Sequence, residues 1–440
     1  MTNKYYLSLA IPLIISTITV PLLGAVDTAV VGQIPNPAYI GGVAVGTVIF
    51  NTMYWLFGFL RVSTSGFAAQ ANGAEDDLKS AMALFRPMII ALLVGLLFIL
   101  FQDAVLYFAQ VFLGVKGEVK AVSAEYFSIR IWGAPFTLMN YVVLGWLLGM
   151  SHIKKTVFIQ IMMNIINIIL AYLFVIFWGF GVKGVAVATL IAEMTAFLAG
   201  IYFLSKNDKL RIDFHLTILG KELLDKAPLK KMMIVNRDLF IRTICLLLVF
   251  NIFTAKGAAY GTEILAANAI LIQIHYIMAY FYDGLANASS ILTGKAVGQG
   301  NRQLYENTVK KSYQWSILFS IAISLLFFLF KENIIPLFTI VKDVITISKE
   351  YEYWLVLFPI CSCFGLVFYG IFTGATEAGL VRNSMIGSIL IFFLVLFPST
   401  HYWGNHGLWF SFIVFSLCRS LLLWRYMPKL REKLVFKKAE

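Results

Sequence analysis

Charge is scarce in this chain: 13% of its 440 residues are Asp, Glu, Lys or Arg, where a soluble domain carries about a quarter. With 60% hydrophobic residues and a mean hydropathy of +0.82, that shortfall excludes a water-soluble globule. Cysteine is scarce too. Cys245, Cys361, Cys363 and Cys418 all lie in apolar runs, which excludes a disulfide framework and reads as small hydrophobes on helices. Phosphate-binding loops are lacking: Gly294-Lys295 has no glycine-rich loop before it, and the one GxGxxG match, Gly179 to Gly184, has no strand before it. The chain has no HExxH and no Ser/His pair in helical register, and His401 and His406 flank Gly404 without further ligands. An intramembrane enzyme and a metal site are therefore not expected.

Apolar length is what the chain does have. Spanning lipid takes about 20 apolar residues per helix with the backbone hydrogen-bonded internally. Segmentation gives twelve spans, at 5–33, 39–70, 85–110, 121–150, 155–178, 182–205, 237–256, 264–295, 310–332, 350–375, 381–399 and 405–427. The first reads as a retained span, because no small-residue cleavage site follows a short apolar core. The net charge of +12 has a topological explanation. With both termini cytoplasmic, most Lys and Arg fall on inside segments, as the positive-inside rule requires for a multi-pass protein of the plasma (cytoplasmic) membrane. The basic clusters are the stretch from Lys206 to Arg237 and the tail with Arg425, Lys429, Arg431, Lys433, Lys437 and Lys438. Anionic lipid headgroups are the expected partner of that tail, and nucleic acid is not.

The chain repeats itself. Residues Gly42 to Gly73 align without gaps onto Ala267 to Gly298, with Ala44/Ala269, Leu60/Leu285, Ser65/Ser290, Ala71/Ala296 and Gly73/Gly298 identical. The same offset lays Gly145 and Gly149 on Gly370 and Gly374, and a slightly shorter one lays Gly181 and Gly184 on Gly404 and Gly407. Three collinear matches point to duplication. Each unit has six spans, an even number, so both copies enter the membrane the same way and are expected to relate by a pseudo-twofold along the membrane normal. The expected fold is an all-α polytopic membrane protein of twelve transmembrane helices in two six-helix lobes: an N-lobe over 1–205, a cytoplasmic linker over 206–236, and a C-lobe over 237–440 with a basic cytoplasmic tail. Two like bundles enclosing a cleft that opens alternately to either side describe a secondary transporter.

A charged group near the bilayer centre costs about 2.5 to 3.5 kcal/mol on insertion scales, so each one needs a reason. Asp27 lies about six residues before the outer end of span one, roughly 9 Å deep at 1.5 Å per residue. Proton uptake is the least costly way to hold it there, and a carboxyl that gains and loses a proton as water access changes is a coupling device. A permanently hydrogen-bonded structural Asp is the other reading. Pro12 and Pro21 in the same helix each remove a backbone donor and permit a bend, and Pro12 is the candidate hinge. Asn164 and Asn167 in span five, and Thr189 and Glu193 in span six, line a polar cavity or glue helices together. Tyr126 and Tyr141 in span four donate to a carboxylate or anchor at the interface. In the second half Asp283, with Gln273 and His275 a turn or two before it, serves function or else a helix-end or interlobe contact. Arg61, Arg130, Arg242 and Arg419 snorkel or pair with carboxylates, with substrate anions the alternative for Arg61 and Arg242.

The run Pro-Leu-Leu-Gly-Ala-Val-Asp27-Thr-Ala-Val-Val-Gly32, then Tyr39-Ile40-Gly41-Gly42-Val43-Ala44-Val45-Gly46, Trp55-Leu56-Phe57-Gly58-Phe59-Leu60-Arg61 and Ala69-Gln70-Ala71, resembles the MATE (multidrug and toxic compound extrusion) family, DinF-like branch. Arg237 to Arg242, Leu265 to Ala269 and Asp283-Gly284 agree in the second half. The resemblance implies a twelve-helix antiporter exporting organic cations or amphipathic compounds in exchange for H+ or Na+. It assigns Asp27 to cation coupling, Pro12 to bending of span one, and Asn167 and Thr189 to the polar partners. Ala171 stands where many relatives carry a second aspartate, and no Glu lies between Arg242 and Phe253. Both departures favour H+ over Na+.

The reading is thus a proton-coupled drug exporter with no cofactor besides the coupling ion, working as a monomer on small-molecule drugs or toxic organic compounds. Asp27 is coupled with Asn167, Thr189 and Tyr141. Met53, Trp55, Arg61, Met139, Met162, Met163, Asn164, Glu193, Gln273, His275 and Asp283 are the expected cavity residues, with core packing the alternative for the Met and Trp. The rival functions are Na+-coupled efflux and a flippase for a lipid-linked precursor.

Overall fold

The computed structural model describes residues 2–31, 37–207, 210, 222–339 and 341–434, with the side chains of 20–29, 31 and 37 outside the described set. Among the described residues the chain is helical with no strand. The helices are α1 (Asn3–Val31), α2 (Pro37–Phe57), α3 (Phe59–Gly73), α4 (Asp77–Leu100), α5 (Gln102–Phe112), α6 (Gly117–Arg130), α7 (Ala134–Gly149), α8 (Ile153–Tyr172) and α9 (Gly181–Ser205) in the first half. The second half has α10 (Lys226–Ala259), α11 (Thr262–Gln299), α12 (Arg302–Ile334), α13 (Lys342–Gly374) and α14 (Ala378–Lys433).

Ten helical segments among the described residues, from Ala38–Gly73 to Ala378–Lys433, are long and apolar enough to cross a membrane. The 29-residue α1 stands outside those ten, and the 56-residue α14 joins two apolar stretches across Gly404. Some expected spans are broken. The second is interrupted at Gly58, the third at Phe101, and the fourth by a 3-10 turn at Ile131–Gly133, where Pro135 opens α7. Hydropathy sees apolar length and is blind to such short interruptions.

Two compact units emerge. One holds Ile18–Met232; the other holds Met233–Glu440 together with Met1–Thr17. The division thus falls inside α1, which the apolar segmentation assigns whole to the first lobe. The reason is packing of the first half of α1 on α11. Tyr6 Oη lies 2.9 Å from Ser289 Oγ, Thr17 Oγ1 donates to the Tyr280 carbonyl at 2.8 Å, and Gly284 sits so close to Ile14 that a Cβ there would meet its Cα at 2.6 Å.

The duplication is visible in the packing. In the first unit Gly145 and Gly149 of α7 lie against the carbonyls of Arg61 and Ser65 on α3. In the second, Gly370 and Gly374 of α13 lie against the carbonyls of Ala286 and Ser290 on α11. The contacting residues are related by the same offset as the glycines. Small residues let helix backbones approach where no hydrophobic force separates protein from lipid. A second correspondence is conformational: Gly181 and Gly404 have φ of +55° and +54°, a region that L side chains rarely enter, and each stands at the turn into the last span of its half.

Each unit has its own core. The first centres on Phe50, Phe127, Leu138 and Trp146, with Trp146 Nε1 donating to the Ser80 carbonyl at 2.8 Å. The second centres on Phe253, Phe358, Phe392 and Trp409, whose Nε1 donates to Asn268 Oδ1 at 2.8 Å. Asn268 and Asn405 also exchange a reciprocal pair of bonds at 2.8 and 3.0 Å. α12 contributes Ser312, Ser316, Ser320 and Ser324, all buried and one turn apart, while Leu325, Leu326, Leu329 and Phe330 on its other faces stay exposed, as a lipid-facing helix requires.

Candidate coupling and substrate sites

In the first unit the polar residues of α8 and α9 meet side by side. Asn167 is 1% exposed, and its Nδ2 donates to Thr189 Oγ1 at 2.9 Å; Thr189 in turn donates to the Val185 carbonyl at 3.1 Å. Asn167 Oδ1 has no hydrogen-bond partner among the described residues, so a buried acceptor is held open. One turn back, Asn164 Nδ2 donates to Thr19 Oγ1 on α1 at 3.1 Å. The asparagine face of α8 therefore bridges α1 and α9. Asp27 lies in helical backbone of α1, and its side chain falls outside the described residues.

One turn after Thr189, Glu193 is 3.6 Å from the guanidinium of Arg130 on α6. Arg130 donates to Tyr126 Oη at 2.9 Å and lies 4.7 Å from the centroid of the Phe50 ring. Gly133 makes room for the acid, since a Cβ there would meet Glu193 Oε2 at 2.5 Å. Tyr54 and Tyr141 share the electrostatic field of Glu193 and Arg130, and Arg61 reaches Tyr141 as well. The arrangement follows from lipid: an acid and a base on neighbouring spans lower their insertion cost by meeting. Met53 belongs to the core of this unit, and Met139 and Met163 pack against it; Trp55 is half-buried.

The second unit is built differently. Arg242 on α10 lies 4.5 Å from the centroid of the Tyr369 ring on α13, and Arg419 on α14, 7% exposed, lies in the electrostatic field of both. Neither guanidinium forms an ion pair or hydrogen bond with a described residue. His275 is buried among aromatic rings, 4.1 Å from Phe358 and 5.1 Å from Phe412, with Nδ1 unbonded. Gln273, two residues earlier, is exposed, so it does not share the enclosure of His275. Asp283 is half-buried and within electrostatic reach of Tyr369. Elsewhere in this unit acids and bases do meet: Asp238 pairs with Arg237 at 2.9 Å and Arg382 at 2.7 Å, and Lys331 with Glu352.

Sequence reasoning leaves Arg130 between snorkelling and pairing, and does not single out Tyr54. The usable signals are the i,i+4 spacing of Tyr126 and Arg130 and an intramembrane Glu193 in need of a cation. Nothing in the local pattern joins Arg242 to Arg419, which stand on different helices at opposite ends of the second half.

The MatE family model matches residues 12–173 and 239–398. DNA damage-inducible protein F of Escherichia coli (strain K12) is 35% identical over 429 residues, covering 96% of this chain and 92% of that protein. A probable multidrug resistance protein NorM of Thermotoga maritima is 24% identical over 357 residues, covering 79% of this chain and 74% of its own. Among solved structures, an outward-facing multidrug resistance MATE family transporter of the MOP superfamily superposes with a TM-score of 0.88 at 20% identity, over 98% of this chain and 97% of that one. The resemblance read from Asp27 and its neighbours thus extends over nearly the whole chain, which belongs to the MATE family in the branch of DNA damage-inducible protein F and is a multi-pass membrane transporter of small molecules rather than an enzyme.

Proposed function

We propose that this protein is a secondary active multidrug exporter of the cytoplasmic membrane, with twelve spans, both termini cytoplasmic, and a proton as the coupling ion. The observation that carries this reading is the open acceptor at Asn167. A buried carbonyl oxygen without a donor, on the helix face that bonds to α1, suits a protonated carboxyl better than a carboxylate, which can only accept. Asp27 supplies that acid on α1 when it takes up a proton. Ala171 places no second carboxylate one turn beyond Asn167, so the cluster lacks the acidic ligand that a hard cation prefers. Protonation favours a bent α1, with Pro12 as the hinge, and the cavity of the first unit contracts to expel its ligand; return of the proton to the cytoplasm resets the cycle. The names of the relatives, multidrug resistance among them, support an amphipathic drug-like substrate. The protein acts as a monomer, with anionic lipid around its basic tail.

The test is efflux of a fluorescent drug from liposomes holding purified protein, with ΔpH and ΔNa+ imposed separately. Transport driven by ΔpH alone is expected. Transport driven by ΔNa+ at clamped pH overturns the assignment.

A further inference from the structure

Arg242 and Arg419 put two permanent positive charges inside the second unit without a carboxylate on either. A guanidinium keeps its proton in any protein setting, so neutralising itself is not an option open to it. Among the described residues, the Tyr369 ring is the aromatic neighbour of Arg242, and Nε of Arg419 has no acceptor. Arg419 is more than nine-tenths buried, and its site is constructed for it. Gly365 of α13 leaves the space the arginine fills, since a Cβ there would meet Arg419 Nε at 3.0 Å. Ser420 fixes the approach of the two helices, accepting from the Gly365 amide at 2.9 Å and donating to the Cys361 carbonyl at 2.6 Å. Gly365 and Tyr369 are one turn apart on α13, so one face of that helix positions both arginines. Asp283 is the carboxylate within electrostatic reach of Tyr369, and it leaves the cluster with a net positive charge. Beside the arginines, His275 lies in the field of Arg419 within the ring cluster of Phe250, Phe358 and Phe412.

The duplication sharpens the point. At the repeat offsets Arg242 overlays Thr17, and Arg419 overlays Ala196. The pair thus has no counterpart in the first half, and no described acid forms an ion pair with it. Intramembrane cations persist when they pair with another group or meet a ligand. Arginine's planar fork matches a carboxylate, sulfonate or phosphate with two parallel donors.

We infer that the second unit holds an anion-recognition site, with Arg242 and Arg419 gripping the acidic head of an amphipathic ligand whose apolar body lies against the His275 ring cluster. The substrate range of the exporter therefore includes aromatic organic anions. The same acidic chemistry is offered by a soluble amphiphile or by an anionic lipid headgroup. The inference rests on the exporter reading only for the direction in which a ligand travels, and its test is a binding measurement that needs no transport.

The experiment titrates 2-naphthoate and its neutral isostere 2-naphthamide into the full-length protein in phosphatidylcholine nanodiscs by calorimetry, with empty discs subtracted. The naphthoate is expected to bind about tenfold tighter than the amide, the scale of one charge-assisted hydrogen bond. Arg242→Gln and Arg419→Gln each bring that ratio toward one, whereas Arg425→Gln, an exposed charge on the cytoplasmic extension, leaves it. Should Arg419→Gln fail to yield monodisperse protein, the half-buried Arg242→Gln decides between the outcomes alone. Equal affinity for acid and amide in the wild type, or a preference that survives Arg242→Gln, overturns the inference. Repeating the titration with phosphatidylglycerol in the discs identifies the source: displacement of naphthoate assigns the site to a lipid phosphate, and undiminished binding to a soluble anion. If the exporter reading fails instead, drug efflux from liposomes is absent while the preference for the acid stands.

Discussion

The two halves of this molecule keep the same helix contacts and differ in what they do with buried charge. Gly145 and Gly149 repeat as Gly370 and Gly374, pressed on corresponding carbonyls. In the first unit Arg130 is met by Glu193; in the second Arg242 and Arg419 have no acidic partner among the described residues. At the repeat offsets Arg130 overlays Leu355 and Glu193 overlays Ser416, so the buried charges of one half have no counterpart in the other. Backbone approach between helices tolerates no side chain and is preserved; the polar interior is free to specialise. In the first unit Arg130 and Glu193 balance one another, and an open hydrogen-bond acceptor, Asn167 Oδ1, lies on the helix whose Asn164 bonds to α1. The second offers positive charge. On the readings proposed above, the first unit carries proton coupling and the second adds recognition of an anionic ligand.

The comparison predicts unequal consequences when charge is removed. Glu193→Gln leaves Arg130 buried beside a neutral partner and is expected to cost about 3–5 kcal/mol. Thermal unfolding in detergent measures this, and Arg130→Met with Glu193→Met together regains most of the loss. A single and a double variant of equal stability would show that the pair does not bear on the fold. Arg242→Gln, by contrast, removes an unmatched charge and is expected to leave stability unchanged or raised.

The shared scaffold predicts equal consequences. Gly145→Val and Gly370→Val both drive a side chain into a helix carbonyl, of Arg61 and Ala286 respectively, and each is expected to cost about 1–3 kcal/mol or more. Yield of monodisperse protein and its melting midpoint read this out. If one half tolerates valine, the contact is not a common element of the duplication.

The smallest effect belongs to the surface. Glu306 is shared by Arg302 at 2.9 Å and Arg431, and Lys433 reaches Glu377 at 2.7 Å, which ties the end of α14 to the start of α12 and to the residue before α14. These pairs are about half exposed, so Arg431→Ala is expected to change stability by less than about 1 kcal/mol, and by still less at high salt. A larger change would make the extension of α14 part of the core rather than a surface clasp.

Much of the scaffold was legible in the residues themselves. The glycine correspondences, read as sequence matches, are contacts between corresponding helices, because close approach demands the same small residue wherever it recurs. The turn glycines Gly181 and Gly404 were legible for a different reason, a positive φ of +55° and +54° that L side chains rarely adopt. The breaks at Gly58 and Phe101 were not, since apolar composition continues across them. Asn167 with Thr189 was anticipated as a polar pair, but the bonds from Asn164 to Thr19 and from Glu193 to Arg130 join helices far apart in sequence, where periodicity carries no information. The exposure of Gln273 beside buried His275 shows the limit of reading a site from proximity along one helix: two residues on, a side chain has turned through more than half a circle.

The central claim is that coupling resides in the first unit, on Asp27. Proton movement during drug efflux, followed with a pH dye in liposomes holding wild type or Asp27→Asn, tests it most directly. The account predicts that the wild type moves protons against the drug, and that Asp27→Asn still binds drug but moves no proton with it. Proton exchange persisting in Asp27→Asn would contradict it.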